Sequence, residues 1–199
     1  MTRPEKKAAQ ALQRGELIIF PTETVYALAA DGLSKKAKQK IYSLKARDSR
    51  KPLGLLLADG RRLRRYVDPK NLTPKVRRLL RRFWPGPLTV IFPASDLGAA
   101  IAGGPTIGIR VPDHPVAAQI LKNAGVPVVA TSANKSGGPE PVRGEDIPIS
   151  VKNAAKCVVM EKHKSAHGAP STVVDISVDP PKILREGAIA KKEIEKWLK

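Results

Sequence analysis

Cysteine is nearly missing from this 199-residue chain. Its one example, Cys157, excludes an internal disulfide and a cysteine-built metal cage. Set in Cys157-Val158-Val159-Met160, it reads as a small buried hydrophobe. Histidine is scarce as well: His114, His163 and His167 stand apart from acids at metal-ligand spacing, so no bound metal is expected. No apolar run approaches the ~20 residues that a membrane helix needs, and no membrane partner is expected. The first twenty residues carry Arg3, Glu5, Lys6 and Lys7 ahead of any apolar run, which predicts a cytoplasmic protein without a signal peptide. Also lacking are G-x-x-x-x-G-K-[ST], G-x-G-x-x-G and G-x-S-x-G, which sets aside the common phosphate loops and the serine elbow.

Acidic residues are half as many as basic ones, 18 against 36, for a net charge of +18 and a pI near 10.3. Such an excess attracts polyanions. Residues 61–82 hold ten basic side chains and one acid, Asp68, so they carry half of the net charge in about a tenth of the chain. Apolar residues at 42% and charged residues at 27% otherwise describe an ordinary globular protein, and the length suits one domain spanning 1–199.

The chain alternates strands and helices. Helices are predicted at 4–14, from a cap at Ser34 to about Arg47, around 76–83, at 115–122 and at 191–198. Strands are predicted at 17–20, 25–30, 53–58, 88–92, 107–111, 126–130, 156–160, 172–176 and 182–185. Residues 139–153 read as a loop with at most one helical turn, and 162–168 as a polar loop suited to a lid.

Two hydroxyl- or amide-rich loops, Thr22-Glu23-Thr24 and Thr131-Ser132-Ala133-Asn134, follow apolar strands, where α/β proteins place ligand contacts. Lys45 and Arg47 end a helix, where cations either complement its dipole or meet an anion. Arg110 sits among apolar neighbours in a strand and needs a partner, either a protein acid or a ligand carboxylate. Val76, Leu79, Leu80 and Phe83 form one face of a basic helix. Its other face, with Arg61, Arg62, Arg64, Arg65, Arg77, Arg78, Arg81 and Arg82 nearby, is either merely solvated or turned towards RNA. Cations together with hydroxyl and amide loops suit a polyphosphate and an amino acid, with catalysis by positioning and charge neutralisation.

FPTETVYALAADG, KAR followed by KPL, FWPGPLTVIF, TIGIRVPDHP, GVPVVATSANKSGGPEP, STVVDIS and ILREGAI occur in this order from about residue 16 to 190. Together they resemble the successive motifs of the YrdC-type threonylcarbamoyl-AMP synthase family, in its short, single-domain form. The K-x-R … S-x-N signature falls on Lys45, Arg47, Ser132 and Asn134. The resemblance implies a twisted, mixed and mainly parallel sheet flanked by helices, with a central positively charged cavity. It implies that ATP, L-threonine and bicarbonate or CO2 give threonylcarbamoyl-AMP and pyrophosphate, with Mg2+ carried by ATP. The product would serve threonylcarbamoyladenosine formation next to the tRNA anticodon through a downstream threonylcarbamoyl transferase complex.

By the same resemblance Lys45, Arg47, Thr106, Ser132, Asn134 and Arg185 surround the nucleotide, with Lys45 and Arg47 catalytic. Thr22, Arg110 and Ser171 hold threonine. Ala27 replaces the family's usual Gly, Asp48 the common Pro, and Gly54 and Leu56 stand where many members carry a polar residue. Ala27 and the STVVDIS and LREG segments also resemble YciO-type paralogues, which lack both signatures that this chain keeps. The alternatives are such a paralogue without synthase activity, or a module that binds tRNA or double-stranded RNA through the basic surface.

Overall fold

The computed structural model describes residues 3–161, 165 and 167–198. The suggested lid loop falls partly outside this range, at Lys162, His163, Lys164 and Ala166. Among the described residues nine strands form one sheet: β1 (Ile18–Phe20), β2 (Ala27–Asp31), β3 (Gly54–Leu56), β4 (Leu88–Pro93), β5 (Thr106–Arg110), β6 (Val128–Ser132), β7 (Cys157–Val158), β8 (Thr172–Asp175) and β9 (Lys182–Arg185). Their order is β7-β1-β2-β6-β3-β5-β4-β8-β9.

The sheet is mixed and flanked by helices, as expected. The balance of directions corrects the expectation of a mainly parallel sheet. Only β1–β7, β3–β5 and β4–β8 pair in parallel, and the other five pairings are antiparallel. Several connections are too short for a helical crossover, and the turn between β1 and β2 brings the chain straight back.

Strand alternation sends side chains to two apolar layers. Leu17, Ile19, Leu28, Ala30, Leu55, Val90, Phe92, Ile107 and Ile109 face one layer. That layer also holds Ala37 and Ile41 of α2 (Lys35–Lys45), Leu79, Leu80 and Phe83 of α3 (Pro74–Phe83), and Ile101 of α4 (Asp96–Ala102). The opposite face of β1, β2 and β6 meets Ala8, Ala11 and Leu12 of α1 (Arg3–Gln13) and Ala117, Ile120 and Leu121 of α5 (Pro115–Asn123). Towards β3, β5, β4 and β8 this second face is not sealed. There Thr89, Ile91, Thr106, Gly108 and Val173 are only half-buried, while their strand neighbours are buried. That uncovered half of the sheet is where the cavity lies.

Two more helices follow, α6 (Ile149–Ala154) and α7 (Lys191–Leu198), with Ile194 of α7 fully buried. The sequence reading did not foresee α4. Its start is capped by the Ser95 hydroxyl, which accepts from the Gly98 N–H, and Gly103 ends it at φ 78°. With seven residues, it carries too little periodicity to stand out. Cys157 is half-buried rather than fully so, with Sγ 3.8 Å from the Pro4 carbonyl oxygen.

Candidate active site

The cavity measures about 390 Å3. Its floor is made by small residues: Ala130 of β6 pairs with Gly54 of β3, and Gly108 lies beside Gly54 on β5. A Cβ placed on Gly54 or Gly108 would meet nothing nearer than 3.8 Å or 3.6 Å. The glycines are therefore not forced by a clash with the protein. They leave volume open above the strands.

Of the nine residues expected to hold ligands, seven stand on the wall: Thr22, Arg47, Thr106, Arg110, Ser132, Ser171 and Arg185. They form two groups. Thr106 and Ser132 occupy strand ends, and Arg47 donates from Nη2 to the Pro52 carbonyl at 3.2 Å, two residues before Gly54. Arg110 lies four residues further along β5 than Thr106, about 13 Å at strand rise. In its row Val173 pairs with Thr89 and with Arg185. Arg185 donates to the Ser171 carbonyl from Nε and Nη2 at 3.1 and 2.9 Å, and Ser171 Oγ lies 2.8 Å from Thr89 Oγ1. Arg185, assigned to the nucleotide by resemblance, therefore sits with the residues assigned to threonine.

Arg110 has its partner within the protein. Its Nη2 lies 2.7 Å from Glu23 Oε1 and donates to Thr22 Oγ1 at 3.4 Å. Burial lowers its pKa, the Glu23 carboxylate opposes that shift, and the Arg185 charge adds to it. Arg110 Nε and Glu23 Oε2 are buried without a hydrogen-bond partner. Thr22 Oγ1 also donates to the Val25 carbonyl at 2.6 Å and sits 2.8 Å from Thr24 Oγ1, which locks the turn.

Lys45 and Asn134 lie behind the wall. Helix α2 ends at Ala46, which takes the left-handed conformation (φ 48°, ψ 40°) and turns the next residue, Arg47, onto the wall. Lys45 is 3% exposed, and its Nζ donates to Ser132 O at 2.6 Å, Asn134 O at 2.5 Å and Asn134 Oδ1 at 2.7 Å. Burial, with the Arg47 charge, pushes its pKa down to about 8, against the pull of Glu140.

Sequence reasoning missed three wall or near-wall groups: Glu23, Thr89 and Glu140. Glu23 lies inside the hydroxyl-rich turn, and the need of Arg110 for a counter-charge was the signal for it. Thr89 has the same strand parity as Ile91 and could have been found by alternation. Glu140 is the one acid on the described wall, and its Oε2 is buried without a partner. Among the described residues no group of three His, Cys, Asp or Glu could hold a metal ion.

All eight arginines expected to face RNA are exposed. Arg61, Arg62, Arg64 and Arg65 lie in a 3-10 turn, Gly60–Arg65, and the other four on α3. Arg61, Arg64, Arg77 and Arg81 edge a groove of about 440 Å3 that also contains Trp84. Among the described residues two of the eight have acid partners: Arg61 with Asp59 at 2.6 Å, and Arg82 with Glu193 at 3.1 Å. No described helix is long and apolar enough to cross a membrane.

Comparison with known proteins follows the same outline. The Sua5/YciO/YrdC family model, described as telomere recombination, matches residues 10–187. A threonylcarbamoyl-AMP synthase of Bacillus subtilis is 38% identical over 95% of this chain and 55% of its own length. One of Vibrio parahaemolyticus is 34% identical over 92% of this chain and 98% of its own. Among solved structures, Pyrococcus abyssi Sua5 complexed with L-threonine superposes with a TM-score of 0.90 at 33% identity, covering 97% of this chain and 56% of that one. Escherichia coli YciO shares the fold, with a TM-score of 0.83 at 24% identity, covering 96% of this chain and 92% of that one. The chain spans about half the length of the first curated relatives it matches. A family model that runs through both hydroxyl-rich loops and every wall residue, with relatives aligned over nearly all of the sequence, places this chain in the Sua5/YciO/YrdC family.

Proposed function

We propose that this protein is an L-threonylcarbamoyladenylate synthase. The observation that carries the reading is one cavity with two polar groups, one at the Thr106 end of β5 and one that includes Arg110 at its other end. Arg47, Thr106 and Ser132 suit nucleotide phosphates and sugar. Thr22, Arg110 and Ser171 suit an amino acid, with the Arg110 guanidinium on its carboxylate and Arg185 adding a second cation. The names of the aligned relatives and the threonine complex of Pyrococcus abyssi Sua5 support the synthase reading.

In the reaction the threonine amine takes up CO2 as a carbamate and releases a proton. A carbamate oxygen then bonds to the α-phosphorus of ATP, and the bond to pyrophosphate breaks. The residues bring two anions together and offset their charge, which is the contribution that positioning and fixed cations make to such a transfer. Magnesium would enter as the counter-ion of ATP. A wall with one carboxylate, Glu140, fits a metal that arrives with its nucleotide better than a resident one.

A second reading concerns the exposed arginines. Phosphate contacts there would hold tRNA or double-stranded RNA near the labile product, before a transferase complex in the cytoplasm uses it. The deciding experiment for the enzyme is incubation with ATP, L-threonine and bicarbonate. Threonine-dependent pyrophosphate is expected, and its absence beside an active control would overturn the synthase in favour of a paralogue or an RNA-binding module.

A further inference from the structure

An ammonium group has three protons to donate, and Lys45 spends all three inside the protein. Its acceptors are the main-chain carbonyls of Ser132 and Asn134 and the Asn134 side-chain oxygen. The same segment is fastened further. Ser132 Oγ donates to Asn134 Oδ1 at 2.7 Å, Asn134 Nδ2 donates to the Gly138 carbonyl at 2.6 Å, and the Ser136 N–H donates to the Lys45 carbonyl at 3.2 Å. Lys45 is thus the hub of a network that closes on itself, and no proton remains for a phosphate in the cavity.

We infer that Lys45 is a positioning residue, which ties residues 132–138 to the end of α2 and so fixes Ser132 and Arg47 on the cavity wall, and that it does not contact the nucleotide. The left-handed Ala46 makes the division of labour possible, because it sends Lys45 inward and Arg47 to the wall. Burial, with the Arg47 charge, lowers the Lys45 pKa to about 8 in the free protein. The inference deepens the synthase reading and rests on it only for the identity of the ligand, since the clamp is a property of the free protein.

The test begins without ligand. Amide hydrogen exchange is followed in the wild type, in Lys45→Met and in Arg47→Ala. In Lys45→Met the amides of 132–138 should exchange on the order of tenfold faster, with the remaining strands unchanged, whereas Arg47→Ala should leave the segment as protected as in the wild type. Binding of tripolyphosphate is then measured against salt. Arg47→Ala should lower the salt slope, and Lys45→Met should weaken binding while keeping the slope.

The result that would overturn the inference is unchanged exchange at 132–138 in Lys45→Met together with a reduced salt slope. Should Lys45→Met fail to fold, lysine-Nζ NMR of the wild type answers the same question. The Lys45 signal should hold its position when tripolyphosphate is added, and a shift with a raised pKa would overturn the clamp. Failure of the synthase reading would appear separately, as missing threonine-dependent pyrophosphate in a protein whose 132–138 segment still loosens in Lys45→Met.

Discussion

Glu23 stands against Arg110, with Oε1 2.7 Å from Nη2 and both side chains less than a tenth exposed. The two are 87 positions apart in the sequence and meet because the turn after β1 folds over the row that contains the end of β5. Arg110 is therefore held, charged and aimed before any ligand arrives. Its Nε, one of five N–H donors, is buried without a hydrogen-bond partner.

Removing the acid leaves a buried guanidinium without its counter-charge, which costs more than the pair itself contributes. Glu23→Gln should lower the unfolding free energy by about 3 kcal/mol and weaken threonine binding. Denaturant unfolding and calorimetric titration with L-threonine check the two parts. Stability equal to that of the wild type would show that the ion pair is not what holds Arg110.

Lys45 predicts a pH dependence with a definite sign. Its proton is held up to about pH 8 in the folded chain and up to the ordinary lysine value of 10.5 in the unfolded one. Between those values the unfolded state binds more protons, so stability rises with pH. Below pH 8 the penalty is fully present. Relative to Lys45→Met, the wild type should gain stability from pH 8 to 10.5 and show a constant difference below 8, as read from urea midpoints at each pH.

The floor glycines separate folding from binding. Gly54→Val adds a side chain that β-strands favour, at a point where the nearest atom to a new Cβ is 3.8 Å away. The variant should unfold at or above the wild-type temperature while pyrophosphate formation falls by more than about tenfold, because the branched side chain occupies ligand volume. A variant that loses stability along with activity would argue that the position is merely tight.

The basic groove offers a test that spares the cavity. Arg64→Gln, Arg77→Gln and Arg81→Gln combined should leave threonine-dependent pyrophosphate unchanged. The slope of log affinity for tRNA against log salt should fall by about 2 to 3, if each arginine meets one phosphate. An unchanged slope would remove the groove from any RNA contact.

Much of this architecture was legible because strand and helix periods in the sequence are clean. The Ser34 cap, for example, is realised by its Oγ accepting from the Ala37 N–H at 3.1 Å. Strand direction was not legible, because apolar runs such as 53–58 look alike whether their neighbours run parallel or antiparallel. Arg110 announced that it needed an acid but could not say which one. Lys45 shows a subtler gap: a motif places residues near a site, while a left-handed residue between Lys45 and Arg47 decides which of them reaches it.

Wall residues come from nearly the whole sequence, from Thr22 to Arg185, and β1 is sandwiched between β2 and the late-arriving β7. During translation, then, Arg110 and Glu23 are both available long before β8 and β9 complete the wall beside them. The wall beside Arg110 is therefore the last part of the cavity to be made, after the residues that suit the nucleotide. Protection by threonine should switch on only with the emergence of Ser171 and Arg185.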